Sequence, residues 1–434
     1  MHRREAWVVA VALVTGCGNK RPAGHRTGDA GAAVVVAPVS DAAGAREASG
    51  PAADEVEPND ANDTAGALAL GATVHARIDP ETDVDRFKIE VTQAGMLSVM
   101  ASPLDALDLV LELEDAAGNV VARSDRGGAR AREGIPNFGA NPGRYVVVVH
   151  SKKPPGKPHK ARKGQPAAAE AGPPAIGPYE LTASMAAPSA GSEHEPDDDR
   201  GQANDLIAGD TGTGFLGWTG DADVWKISVE ALSARNALDV ELTAVDGVAL
   251  QLELGDGVGK PILKRTGRKG GPLVVRGFVP QVPAGAPPFH YLTVRAAERS
   301  NPETAYQLRA VAKVIPADAE LEPNDTPETA MAMPADRKTL HAQWSTGDVD
   351  CFAIAAADAA HNLDVSIDTP AELDLAIELL VDGAVVARSD HPGKGAAEKA
   401  SASVPAGKAA VVRVKGSEAS DEAGYDLTVS DTSP

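Results

Sequence analysis

One short acidic signature, repeated three times at fixed spacing, constrains this chain more than any other feature. Each copy reads Glu-x-Glu-Pro, two Asn/Asp residues, a gap, and then Asp-x-Asp-x-aromatic. The first holds Glu55, Glu57, Pro58, Asn59 and Asp60, followed by Asp83, Asp85 and Phe87. The second holds Glu193, Glu195, Pro196, Asp197 and Asp198, followed by Asp221, Asp223 and Trp225. The third holds Glu320, Glu322, Pro323, Asn324 and Asp325, followed by Asp348, Asp350 and Phe352. In all three the proline lies 25 positions before the first aspartate of the pair. Self-similarity of this kind marks an array of structural units. The 434 residues leave room for a core in each of three.

Local patterning points to strands. After each Asp-x-Asp pair apolar residues recur two apart, as in Phe87, Ile89 and Val91 or Trp225, Ile227 and Val229, which is the period of a half-buried strand. A hairpin pattern follows. Residues 107–111 turn through Gly118 and Asn119 into 120–125, and residues 373–377 turn through Asp382 and Gly383 into 385–390. Such pairs supply the positive φ angles that tight hairpins need. Copy 2 keeps Leu250, Leu252 and Leu254 but ends differently, at Ile262-Leu263-Lys264-Arg265. Two further strands close each copy, around Tyr145 and Tyr179, Tyr291 and Tyr306, and 410–414 and Tyr425. With 3% aromatic residues, the cores are expected to rest on Val, Leu, Ile and Ala, with isolated rings such as Phe87, Trp225 and Phe352 as anchors. The expected fold class is all-β, three tandem antiparallel β-sandwiches spanning 55–188, 193–315 and 320–432. The one helical hint is the turn after each Pro-Asn-Asp, as at Thr326-Pro327, where a capping residue precedes proline.

The first residues read as a targeting segment. Arg3 and Arg4 make a basic start, residues 6–14 are nine apolar positions, and Val14-Thr15-Gly16-Cys17 follows. Nine residues are too few to span a bilayer as a helix. The segment resembles a bacterial lipoprotein signal peptide. That resemblance implies removal of residues 1–16, lipidation of Cys17, and a location in the cell envelope at the outer membrane, on its periplasmic or surface face. Residues 17–54 then form a disordered tether: 18–54 contain 20 Ala, Gly or Pro in 37 and show no strand or helix period. A formal charge of −21 argues against nucleic acid as a partner, since phosphate would be repelled by most of the molecule, and suits cations better.

The acidic signature, the Leu-Asp-Leu and Ala-Arg-Ser-Asp hairpin, and the final Tyr-x-Leu strand together resemble the bacterial pre-peptidase C-terminal domain. The resemblance covers nearly all of 55–432, with copies 1 and 3 matching well and copy 2 diverging at Asp197 and in its hairpin. It implies jelly-roll-like sandwiches and, as in some members, calcium held by the acidic stretch and the Asp-x-Asp region. Carried over, the ligand set is Glu55, Glu57, Asn59, Asp60, Asp83 and Asp85 in copy 1. In copy 2 it is Glu193, Glu195, Asp197, Asp198, Asp221 and Asp223. In copy 3 it is Glu320, Glu322, Asn324, Asp325, Asp348 and Asp350. Calcium takes six to eight oxygens, and alternate carboxylates on an extended segment face one way, so the residue types suit the ion. The other reading is that the acidic residues cap turns and keep domain edges soluble.

Three further features bear on function. The stretch 151–177 carries Lys152, Lys153, Lys157, Lys160, Arg162 and Lys163, either as a solvated loop or as a contact for an anionic envelope polysaccharide. Cys351 alternates with Phe352 and reads as a surface thiol or a small space-filler. No metal-spaced histidine pair, nucleophile elbow or phosphate-binding loop is present, so no catalytic residue is assigned. The expectation is a non-enzymatic envelope lipoprotein acting as a binding and spacer array with a polysaccharide or protein partner. An accessory or regulatory partner of a secreted protease is the alternative.

Overall fold

The computed structural model describes residues 52–126, 128–152, 177–232, 235–334, 339–417 and 422–432. The signal-peptide segment, Cys17, nearly all of the tether and five of the six basic residues of the 151–177 stretch lie outside them.

Copy 1 runs through β1 (Ala52–Asp54), β2 (Gly66–Ala67), β3 (Thr73–Ala76), β4 (Val84–Val91), β5 (Gly95–Ala101), β6 (Leu109–Glu114), β7 (Val120–Ser124), β8 (Glu133–Ala140), β9 (Gly143–Ser151) and β10 (Tyr179–Ala186). Copy 2 comprises β11 (Asn204–Leu206), β12 (Thr211–Leu216), β13 (Ala222–Ser228), β14 (Asn236–Leu242), β15 (Ala249–Gly255), β16 (Pro261–Lys269), β17 (Leu273–Phe278), β18 (Phe289–Ala296) and β19 (Asn301–Val314). Copy 3 comprises β20 (Met331–Ala332), β21 (Thr339–Trp344), β22 (Val349–Ile354), β23 (His361–Asp368), β24 (Leu375–Val381), β25 (Ala384–Ser389), β26 (Glu398–Val404), β27 (Ala410–Gly416) and β28 (Ala423–Thr432).

Each copy pairs two sheets of the same strand order. One is β1-β3-β10-β5-β8, β12-β19-β14-β17 or β21-β28-β23-β26; the other is β2-β4-β9-β6-β7, β11-β13-β18-β15-β16 or β20-β22-β27-β24-β25. Between the sheets lie three hydrophobic cores, one per copy, built mainly of Leu, Val and Ile around Phe87, Trp225 or Phe352. The all-β sandwich reading therefore holds. The short β1, paired parallel with β3, extends copy 1 back into the expected tether.

Two expectations are corrected. The segment after Pro-Asn-Asp is a turn in which Thr326 and Thr329 exchange hydrogen bonds, and among the described residues there is no helix. Cys351 is not a surface thiol: it is fully buried in β22, and burial pushes its thiol up to about 11.

One buried polar pair recurs. Ser124 Oγ donates to Glu133 Oε2 at 2.7 Å, and Ser389 makes the same bond to Glu398. Both glutamates are fully buried. Burial, with Asp125 and Asp108 nearby, raises Glu133 from 4.5 to about 7 against the hydrogen bonds from Ser124 and Arg126. The folded chain therefore holds a proton here that the unfolded chain has lost. The contribution is full below 4.5 and disappears as pH rises through about 7. Stability should fall by about 3 kcal/mol across that window from this group alone. In urea titrations at several pH values, Glu133→Gln is expected to flatten the slope; an unchanged slope would assign it to other groups.

Candidate metal centres

The Asp-x-Asp pair enters β4, β13 or β22 on the face that carries the core aromatic, because residues two apart in a strand share a side. Asp85, Asp223 and Asp350 thus point into the sandwich beside Phe87, Trp225 and Phe352, and each is 0% exposed. They are not solubilising edge charges. The Glu-x-Glu-Pro segment crosses the same end of the sandwich and brings its side chains to meet them.

Backbone amides and one tyrosine fix the geometry. In copy 1, Arg77 N donates to Glu55 Oε1 (2.6 Å), Asn59 N to Glu57 Oε2 (2.8 Å), and Tyr179 OH to Asp85 Oδ2 (2.6 Å). In copy 3, Gln343 N donates to Glu320 Oε2 (2.8 Å), Asn324 N to Glu322 Oε2 (2.7 Å), and Tyr425 OH to Asp350 Oδ2 (2.5 Å). Copy 2 keeps the plan with a change of partner: Phe215 N donates to Glu193 Oε1 (2.8 Å), and Tyr306 OH to Glu193 Oε2 (2.9 Å). Trp225 Nε1 donates to that same tyrosine oxygen at 2.9 Å.

The same oxygens are left over each time. Asn59 Oδ1 and Asp85 Oδ1, Asp197 Oδ1 and both oxygens of Asp223, and Asn324 Oδ1 and Asp350 Oδ1 are buried without a hydrogen-bond donor. Tyr306 and Glu193 lie against Asp223, and burial together with these carboxylates pushes the tyrosine hydroxyl well above its ordinary range. Buried oxygens without partners are costly, and three copies repeating them at equivalent positions point to a cation as the missing partner. Carboxylate oxygens of Glu55, Glu57 and Asp85 lie within 4.8 Å of one another, as do those of Glu193, Glu195 and Asp223 and those of Glu322, Asp325 and Asp348.

Without a cation these groups resist ionising. Burial first, then repulsion from Glu55, Asp83 and Glu57, raises Asp85 to about 8. In copy 2 burial raises Glu193 to about 7, Glu195 to about 8 and Asp197 to about 10, the latter two with help from neighbouring carboxylates. Asp221 and Asp223 are pushed well above the carboxylate range for the same reasons. Hard oxygen donors in this number suit calcium-like ions and offer nothing to a soft metal.

No family model matches the chain, and no curated protein does. Among solved structures, the pre-peptidase C-terminal domain of a Bacillus anthracis collagenase aligns at 16% identity and a TM-score of 0.20, covering 27% of this chain and 93% of that one. A tandem of CBM22 domains from Paenibacillus barcinonensis Xyn10C aligns at 11% identity and a TM-score of 0.18, covering 48% of this chain and 82% of that one. Likeness this distant says nothing of what the chain binds.

The three clusters differ in cover. In copy 1, Glu57 and Asp60 are exposed and Glu55 and Asp83 half-buried, around an open pocket of ≈ 560 Å³ lined by Glu57, Asp60, Asp79, Thr82, Asp83 and two prolines. In copy 2, Glu193, Glu195, Asp197, Asp221 and Asp223 are buried and Asp198 is exposed. In copy 3, Glu320, Glu322, Asn324, Asp348 and Asp350 are buried and Asp325 half-buried.

The cover is the preceding copy. Gly139 N donates to Glu195 O (2.9 Å) and Glu195 N to Asn137 O (3.2 Å); likewise Val279 N donates to Glu322 O (2.8 Å) and Glu322 N to Gly277 O (3.0 Å). The second and third Glu-x-Glu-Pro segments thus pair with the end strands β8 and β17 of the sandwich before them. Gly277 sits at φ 62, and a Cβ there would come within 2.9 Å of Glu320 O, so the second joint needs a glycine.

The sequence reading missed the tyrosines' role, Asn137, and Arg265. Asn137 Nδ2 donates to Glu193 Oε1 across the first joint. Across the second, the Arg265 guanidinium reaches Glu322, Asp325 and Asp348 at 2.5 to 2.7 Å. Of the basic stretch, the described Lys152 pairs with Asp125 at 2.6 Å.

Proposed function

We propose that this chain is a non-enzymatic array of β-sandwiches that binds calcium at its acidic clusters, is lipid-anchored through Cys17 to the outer membrane, and serves as a binding and spacer module of the cell envelope. The observation that supports calcium is the repeated set of buried, donorless oxygens at Asn59 and Asp85, Asp197 and Asp223, and Asn324 and Asp350. At each cluster carboxylate oxygens of three residues lie within 4.8 Å of one another, supplied by a segment and a strand that the fold holds together. Bound calcium would offset the mutual repulsion of the carboxylates and add to the stability of each sandwich. Glu55, Asn59 and Asp85, and their counterparts, would hold one ion deep in the sandwich. Glu57, Asp60 and Asp83, and theirs, form the outer half of each cluster.

The lipid anchor rests on the sequence alone, on the basic start, the apolar run and Val14-Thr15-Gly16-Cys17. Calcium uptake by the whole chain is the direct test, by equilibrium dialysis against the radiolabelled ion. Binding is expected for the wild type, and the ion held by the inner half of each cluster is expected to be lost when Asp85, Asp223 and Asp350 all become Asn. No uptake at millimolar calcium would leave a plain spacer.

A further inference from the structure

We propose that Arg265 is the resident cation of the third cluster: a guanidinium from copy 2 fills the outer half of the copy 3 site, which therefore binds one calcium fewer and closes its joint without metal. The proposal rests on the reading of the clusters as calcium sites and assigns one of those sites to a side chain.

The position of Arg265 in the repeat shows what was exchanged. In copy 1, one ladder row runs Asp85, Val149, Leu111, Ser124 across β4, β9, β6 and β7. In copy 3 the row is Asp350, Val414, Ile377, Ser389. In copy 2 it is Asp223, Val294, Leu252, Arg265. Arg265 thus stands where the other copies have serine. The serine's partner has changed as well: Glu133 and Glu398 pair with Ala101 and Ile367, and the matching partner of Leu242 is Leu273. The buried Ser–Glu lock is gone from copy 2, and the arginine that replaces it turns outward into the next copy.

There it is 2% exposed, with Nη2 2.5 Å from Glu322 Oε1 and 2.6 Å from Asp348 Oδ1, and Nη1 2.7 Å from Asp325 Oδ1. These three carboxylates are the counterparts of Glu57, Asp60 and Asp83, the open outer half in copy 1. A planar fork of donors amid three carboxylates supplies the positive charge that a cation would otherwise bring. The inner half keeps its donorless oxygens on Asn324 and Asp350, so it remains available to an ion. The first joint has no such device. Among the described residues no ion pair engages Glu193, Glu195, Asp197, Asp221 or Asp223, and nearby Arg123 pairs instead with Glu112 and Asp125.

The test counts calcium ions bound per whole chain by equilibrium dialysis. Arg265→Ser, which restores the residue of the other copies, is expected to bind one calcium more than the wild type. In the wild-type background, where folding is less at risk, Asp83→Asn is expected to lose one calcium and its counterpart Asp348→Asn none. Equal counts for wild type and a folded Arg265→Ser, or loss of one calcium from Asp348→Asn, would overturn the proposal. A wild type that binds nothing while Arg265→Ser gains one ion would remove the calcium reading of the natural chain and leave the role of Arg265 standing.

Discussion

Calcium added to the chelator-treated whole chain is expected to raise its melting temperature, and Asp223→Asn is expected to reverse its rank against the wild type between the two conditions. The second cluster is the source of the larger effect. It holds five buried carboxylates with no ion pair among the described residues, so the folded state without calcium carries their desolvation and mutual repulsion. A ligand that binds only the folded state adds about 2.7 kcal/mol per site at a hundredfold excess over its dissociation constant. For units of this size that is a rise of roughly 5 to 10 °C. Asp223→Asn removes a fully buried carboxylate whose oxygens have no donor. In EGTA it should therefore melt above the wild type, because one desolvated acid is gone. In saturating calcium it should melt below, because a ligand is gone. Calorimetry of both proteins in both buffers gives four numbers, and a wild-type melting point indifferent to millimolar calcium would end this account.

What the sequence made legible is what repeats locally. The 25-residue spacing located all three clusters, and the two-residue period found β4, β13 and β22 with their inward aspartates and aromatics. It missed β8, because Glu133-Gly134-Ile135-Pro136-Asn137-Phe138 carries a proline and two polar residues that read as loop. In the fold that strand ends its sheet and shifts register opposite 97–99, where a proline is tolerated. Cys351 was legible only as to its side of the strand. Alternation turned it away from Phe352, but that face of β22 is also covered, which no period reports. The site was legible in its ligand types and not in its cover. Burial of clusters 2 and 3 comes from β8 and β17 of the copy before, and the partners of Arg265 lie 57 and 83 residues along the chain. The departure from serine at 265 was visible; its destination was not, because a reading within each repeat cannot see across a joint.

Arg265→Ser should destabilise the chain strongly when calcium is absent, and calcium should repair it. Glu322 and Asp348 are 5% and 7% exposed, and the guanidinium is the only cation paired with them among the described residues. Breaking a buried pair by removing one partner costs about 3 to 5 kcal/mol, since the charge left behind has neither water nor a counter-ion. Arg265 works against burial at both carboxylates: it holds Asp348 at about 6, where its counterpart Asp221, without an arginine, is pushed well above the ordinary range, while Glu322 stays well above that range even beside the guanidinium. Calcium entering the vacated outer half would restore the missing charge, so the melting deficit seen in EGTA should close as the ion is added. Arg265→Lys should fall between the two, because a single ammonium cannot present a planar fork to three carboxylates at once. Urea unfolding of the three proteins with and without calcium separates the effects. If Arg265→Ser is as stable as the wild type in EGTA, Glu322 and Asp348 are protonated and indifferent to their partner, and the joint is held by β17 and the backbone of the Glu-x-Glu-Pro segment alone.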